Sequence, residues 1–187
     1  MATSPENYHK FDFIGEFEAS GNVNSLLEKD EETARTMSLE NRQFCYAYLF
    51  SGSTLTTAPE LPATTLAYGC YAFMFNNCQN LTTAPDLPAT ILANWCYYGM
   101  FYSCTALTTA PELPAYTLVD SCYAGMFAGC LKLNYVLVGF DNWVQNATDN
   151  WLPENTGTFK CPQTLIDNTT DNRSTATVPE SWTMVAI

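Results

Sequence analysis

The sequence predicts an α/β solenoid, a stack of about four coils with a short parallel strand and a short helical turn in each. Two observations lead to this prediction. A 26-residue unit occurs three times without a gap between residues 55 and 132, and 14 of its columns are identical in all three copies. A unit of this length cannot bury its own apolar face, so neighbouring copies must stack.

The repeat divides the chain into three regions. The units span 55–80, 81–106 and 107–132, and half-units at both ends extend the predicted solenoid to 45–136. Residues 1–44 and 137–187 do not repeat and are expected to cap the stack, because uncovered strand edges invite aggregation. The expected sealing residues are Phe11, Phe13, Ile14 and Phe17 at one end, and Trp143, Trp151, Phe159 and Trp182 at the other.

Each unit opens with the tetrapeptide Leu-Thr-Thr-Ala, as in Leu81–Ala84. β-Branched threonine favours extended backbone, and the proline that follows removes a ladder donor and ends the segment. We expect these four-residue strands to pair in parallel from coil to coil. One threonine column should face the core and the other the solvent.

The second half of each unit carries the pattern Cys-Tyr-x-x-Met-Phe-x-x-Cys, as in Cys96–Cys104. At about 100° per residue, offsets of 0, 1, 4, 5 and 8 fall within a stripe about 140° wide. This spacing predicts a short helical turn with one buried face. The methionine and phenylalanine columns should form the inner wall of the stack.

These residues resemble a known family. The combination C-Y-x-x-M-F-x-x-C-x-x-L-T-T-A-P-x-L-P-A is similar to the BspA-like leucine-rich repeats of bacterial surface proteins, a 26-residue class abundant in gut Bacteroidetes. Trp151–Lys160 and Val178–Thr183 resemble the terminal segment of such proteins. The resemblance implies a short right-handed leucine-rich-repeat solenoid for adhesion or recognition at the bacterial cell surface, with protein or glycan partners and no catalytic residues.

The charge balance excludes several partners. The chain has 7 Lys and Arg against 19 Asp and Glu, and no Lys or Arg occurs between Gln43 and Leu131. Nucleic acids and anionic membrane surfaces need a basic face, so neither is expected as a partner. No apolar run is long enough to insert into a bilayer.

Catalysis and metal binding are not expected. His9 is the only histidine, and the chain has no dinucleotide or P-loop motif, so we predict neither an enzyme nor a cofactor. The acidic column Glu60, Asp86 and Glu112 is interpreted as a solvated stripe. A carboxylate pair of a carbohydrate-active enzyme is the alternative.

Seven of the eight cysteines lie in two repeat columns, and Cys161 stands apart. Cysteines eight residues apart on a helical turn are too distant for a disulfide. We therefore expect buried free thiols stacked in columns, with one or two bridges as the alternative. A zinc site is not expected, because no C-x-x-C pair and no nearby histidine are present.

Columns that differ between the units are candidates for partner binding, since stacking does not require them to be constant. The candidate binding residues are the aromatic side chains Tyr68, Trp95, Tyr98 and Tyr102. Exposed Tyr and Trp in a region without Lys are typical of an interface core or a carbohydrate platform. Scattered surface aromatics without a role are the alternative.

Three functions follow from these patterns. The first is a non-catalytic adhesion or recognition module at the extracellular bacterial surface. The second is a capsid decoration or fibre protein on the virion of a phage that infects such bacteria, where it would contact other subunits of a larger assembly. It fits the first residues, Met1–Phe13, which lack the basic and apolar regions of a secretory signal. The third is a carbohydrate-active enzyme.

Overall fold

The computed structural model describes residues 14–168 and 178–187. Helices and strands are few and short in this part of the chain. In chain order they are β1 (Phe17–Glu18), a 3₁₀ turn (Val23–Leu26), α1 (Glu31–Thr36), β2 (Leu55–Thr57), β3 (Tyr135–Leu137), β4 (Gly157–Cys161), α2 (Gln163–Asp167) and β5 (Trp182–Ala186). Every strand pairing is parallel: β1 pairs with β2, and β4 lies between β3 and β5.

The tetrapeptides of the three units do not all form strands. Only the first, at β2, is a regular strand, and a single bridge joins Thr57 to Thr83 of the next unit. The prediction of paired strands in every coil is therefore wrong. A proline follows each tetrapeptide and interrupts the ladder. Both threonine columns are exposed or half-buried, so the predicted inward threonine column is also wrong.

The cysteine-rich half of each unit is a ribbon of tight turns rather than a helix. Alternate backbone N–H groups bond three residues back within the unit, as Met74 does to the carbonyl of Tyr71 at 3.1 Å. The intervening N–H groups donate to the next unit, as Phe73 does to Tyr98 at 2.8 Å. Every backbone N–H group from 69 to 77 and every carbonyl from 69 to 76 therefore has a partner in its own unit or in a neighbouring one.

The turn ribbon has a period of four residues. Every fourth residue has a positive φ: Gly69, Phe73 and Asn77 in the first unit, Trp95, Gly99 and Ser103 in the second, and Ser121, Gly125 and Gly129 in the third. Offsets of 0, 1, 4, 5 and 8 fit a period of four as well as the 3.6 of a helix. The helical prediction is thus wrong in backbone conformation, although the expected face is buried.

The buried face forms continuous columns through the stack. The rings of Phe75, Phe101 and Phe127 are parallel, with successive centroids 5.5 and 5.7 Å apart. A second column contains Tyr71, Tyr97 and Tyr123 at 5.8 and 5.9 Å. The methionine of each unit is also fully buried, which confirms the predicted inner wall of Met and Phe.

At the C-terminal end, the turn pattern continues beyond the last sequence repeat. The N–H groups of Tyr123 and Phe127 donate to the carbonyls of Ala147 and Trp151, both at 2.8 Å. Trp151, Phe159 and Trp182 are buried there, as expected for sealing residues. Trp143 is half-buried and stacks on Phe159 at 6.2 Å.

At the N-terminal end, other residues than those predicted close the stack. Ile14 is fully exposed, so its predicted sealing role is wrong, whereas Phe17 is half-buried. Phe11 and Phe13 lie outside the described residues. The 3₁₀ turn, α1 and the segment after it bury Val23, Ala34 and Leu39 instead. The side-chain oxygen of Asn24 accepts a 2.9 Å hydrogen bond from the hydroxyl of Tyr46, which is the first residue of the buried tyrosine column.

Replacement of Phe101 by alanine is expected to lower the free energy of unfolding by about 3–5 kcal/mol, since its ring is fully buried between two others. Urea denaturation measures this change. Tyr102→Ala is the matched control, because the neighbouring side chain is 45% exposed. A loss below about 1 kcal/mol in Phe101→Ala would place the ring outside the core.

Gly99→Ala and Gly125→Ala separate backbone strain from crowding. Both residues have positive φ, which costs alanine about 1–2 kcal/mol. A Cβ at Gly99 would lie 2.4 Å from the Phe73 ring, whereas one at Gly125 meets only the Gly99 Cα, at 3.9 Å. We expect Gly99→Ala to lose at least about 1 kcal/mol more in urea denaturation. Equal losses would contradict the packing of Phe73 over Gly99.

Candidate functional site

An aromatic row runs along the outside of the turn ribbon. Trp95 and Tyr98 stack on each other with ring centroids 4.3 Å apart and an interplanar angle of 16°. Tyr68, from the preceding unit, stacks against Trp95 at 6.3 Å and is 39% exposed. These contacts restrict the rotamers of the row before any partner arrives, which reduces the entropy lost on binding.

A groove of about 560 Å³ opens beside this row. It exists because the second of the three positive-φ columns of the turn ribbon holds Gly99 and Gly125 in successive units. In the first unit the same column holds Phe73, whose ring covers Gly99. Gly99 has no side chain with which to cover Gly125, and Ala124 and Ala128 beside it are also small. The floor of the groove is therefore backbone and small side chains.

The two sides of the groove differ in chemistry. Phe73, Trp95, Tyr98 and Tyr102 line one side. Carboxylates and amides line the other: Asp120, Asn146, Asp149 and Asn150. The side-chain amide of Asn146 approaches the Asp120 carboxylate at 3.4 Å. Among the described residues that line the groove there is no Lys or Arg, and Asp120 and Asp149 bring two carboxylates to it.

Trp95 occupies one of the positive-φ positions of the turn ribbon. Its φ is +63°, in the left-handed region, where a residue other than glycine costs about 1–2 kcal/mol. The same column holds Gly69 in the first unit, Ser121 in the third and Asn146 beyond it. A large indole in this column is thus not required by the backbone.

The structure brings together three of the four predicted binding residues. Trp95, Tyr98 and Tyr102 line the groove, whereas Tyr68 lies behind Trp95 and does not. The sequence interpretation missed the polar side, because Asn146, Asp149 and Asn150 belong to the segment assigned to the cap. Asn146 and Asn150 are four residues apart, as are Ser121 and Gly125. This shared spacing could have indicated that the segment continues the turn ribbon.

The cysteines are free thiols in the structure, and all except the half-buried Cys45 are buried. In the second cysteine column each Sγ donates to the phenylalanine carbonyl of the preceding unit: Cys78 to Phe50 at 3.1 Å, Cys104 to Phe75 at 3.0 Å and Cys130 to Phe101 at 3.0 Å. Ser53 continues this column at its start and lies 3.4 Å from the Cys78 sulfur. Burial raises the pKa of Cys122 and of Cys130 to about 12.

The acidic column is exposed, as expected of a solvated stripe. Glu60 forms a 2.9 Å ion pair with Arg35, while Asp86 and Glu112 extend the column along the surface. Within residues 14–168 and 178–187, no group of three His, Cys, Asp or Glu side chains is arranged to hold a metal ion. The helices in these ranges are too short to cross a membrane.

Comparison of the chain with protein-family models, with curated proteins and with solved structures found no match.

The thiols are expected to react slowly with a disulfide reagent in the native protein at pH 8. Burial shields them, and a raised pKa leaves little of the reactive thiolate. After denaturation without reductant, about eight thiols should be titrated, the number in the sequence. A count near zero in denaturant would instead reveal disulfides.

Proposed function

We propose that the chain is a leucine-rich-repeat recognition module that binds a protein or glycan partner at the aromatic groove and does not catalyse a reaction. The supporting observation is the row Tyr68, Trp95 and Tyr98, continued by the exposed Tyr102 along one side of a groove. The resemblance to bacterial surface repeats favours an extracellular setting for this binding.

The stack itself does not need these aromatic side chains. At the columns of Trp95 and Tyr98, the first unit has Gly69 and Ala72 and still forms the same turns and the same bonds to its neighbour. Trp95 moreover adopts a backbone conformation that glycine adopts at lower cost. Partner contact would give these side chains a role beyond their packing on each other and of Tyr98 on Phe73.

Binding at such a surface depends mainly on the few large aromatic residues. Truncation of a central Trp or Tyr commonly costs about 2 kcal/mol or more of binding free energy. The net negative charge of the chain contributes to the specificity of binding, because acidic partners are repelled as they approach. A neutral or basic partner surface fits this groove best.

The variant Trp95→Gly with Tyr98→Ala tests the proposal. Both new residues already occur in the same columns of the first unit, so the variant should fold, which circular dichroism and urea denaturation verify. We expect binding to weaken at least about 30-fold, the equivalent of about 2 kcal/mol. The assay is attachment to a panel of immobilised glycosylated and non-glycosylated extracellular proteins.

Tyr116→Ala is the matched control, since Tyr116 is an aromatic residue outside the groove and 64% exposed. Its binding should equal that of the parent protein. If the folded double variant attaches to its partners as well as the parent does, the groove is not the contact surface.

A further inference from the structure

We infer that β5 is an interface between two copies of this chain, which associate end to end by antiparallel pairing of β5 with the β5 of a second copy. None of the residues of β5 lines the aromatic groove, so this contact goes beyond the proposed recognition function and does not depend on it. The strand has an open edge, no feature that blocks the edge, and a sequence that matches itself in one register.

β5 is the last strand of its sheet, and only one of its two edges is paired. It pairs in parallel with β4 on one side, where the N–H of Ile187 donates to the carbonyl of Cys161 at 3.1 Å. Alternate residues of a strand direct their backbone groups to opposite sides, so Met184 and Ala186 direct theirs away from β4. In the described part of the chain, no strand pairs with that side of β5.

The sequence of this edge does not protect it from a further strand. Proteins commonly block an exposed edge with a charged residue, a proline or a bulge. Residues 182–187 include no charged residue and no proline, and the register with β4 is regular. Val185 is 37% exposed and Ile187 is 67% exposed, so apolar surface lies along the strand. Such an edge is expected to pair with another chain.

The strand at the opposite end of the stack is a poorer partner. β1 has only two residues, its register with β2 is shifted, and it ends at the exposed Glu18. A head-to-tail contact of β5 with β1 would pair few residues and leave most of the outward groups of β5 in water. Contact between two copies of β5 instead pairs the whole strand.

Two copies of β5 match in an antiparallel register with the two-fold axis at Val185. The outward backbone groups of Met184 then meet those of Ala186 in the second copy, and the reverse pair forms on the other side of the axis. Each such pair exchanges two bonds, so the contact gains about four N–H···O=C bonds. The two Val185 side chains face each other at a non-hydrogen-bonded position, where side chains approach closely and β-branched pairs are favourable. A two-fold contact of this kind closes after two copies.

The net charge of the chain does not prevent this contact. Two copies with a formal charge of -12 repel each other at a distance, but β5 itself carries no charged side chain. The charged residue beside it in the sheet is Lys160, which pairs with Val185. Across the interface the two Lys160 residues would be three strand spacings apart, about 14 Å, which exceeds the Debye length of about 8 Å at physiological salt. Added salt should therefore strengthen the association.

The test is sedimentation velocity with light scattering on the full chain, at concentrations from about 1 to 500 μM, because the dimer fraction follows mass action. The short contact favours a reversible dimer. We expect the mass to rise from one chain to two with concentration, and the dimer to become tighter with added salt. The variant Trp95→Gly with Tyr98→Ala should dimerise like the parent, since the groove is not part of this contact.

Two substitutions on β5 should each weaken the dimer at least about tenfold. Val185→Lys places two like charges directly opposite each other. Met184→Pro removes an outward donor without removing a bond to β4, and edge strands accept proline at such a position. Ile91→Lys is the matched control, because Ile91 is also β-branched, is 68% exposed and lies in the second unit. Circular dichroism and urea denaturation verify that each variant is folded.

Cross-linking tests the register. Val185→Cys should form an intermolecular disulfide under mild oxidation, because the two side chains face each other at a close position. The parent protein measures the background from the half-buried Cys45, and Ile91→Cys measures random collision.

A parent protein with the mass of one chain over the whole concentration range would overturn the inference. So would a dimer that persists unchanged in folded Val185→Lys and Met184→Pro, or open-ended polymers in place of a dimer. Each of these results leaves the proposed function of the groove untouched, because partner attachment is measured separately.

Discussion

The turn ribbon depends on how its backbone hydrogen bonds are divided. Half of its N–H groups close turns within a unit, and the other half reach the carbonyls of the next unit. A single unit would leave those outward groups without protein partners and its aromatic face without cover. Each layer therefore completes its neighbour, and stability should depend on the interfaces between layers more than on any one layer.

This division of hydrogen bonds also separates packing from recognition. The inward positions of the four-residue period hold the Met, Phe, Tyr and Cys columns, which must fit the same residues above and below. The left-handed positions lie between them and differ from unit to unit. Their side chains vary while the Met, Phe, Tyr and Cys columns stay constant, although the positive φ and contacts such as that of Phe73 with Gly99 restrict what each position accepts. The groove arises at such a column, where two glycines follow a phenylalanine.

The thiols take part in the same repeated contacts between adjacent layers. A cysteine side chain is small enough for the crowded position between layers, and its S–H group reaches a carbonyl that already accepts one backbone bond. Ser53, at the start of this column, has a hydroxyl in place of the sulfur and keeps the turn bond from its backbone N–H to the Phe50 carbonyl. This substitution is consistent with a packing role for the column, because a disulfide needs two sulfur atoms.

The sequence alone determined the repeat, its period and the residues that are buried in it. It also singled out three aromatic residues that line the groove, because they lie in columns that differ between the units; Tyr102 is exposed, as predicted, whereas Trp95 and Tyr98 are half-buried. It did not determine the backbone, since Cys96, Tyr97 and Met100 recur at a spacing that suits a helix and a four-residue turn ribbon equally. Only the tertiary structure decided between them, because the alternate N–H groups bond to residues about 25 positions away. The same long-range stacking brought Asn146 and Asn150 opposite Trp95, and no local pattern records that proximity.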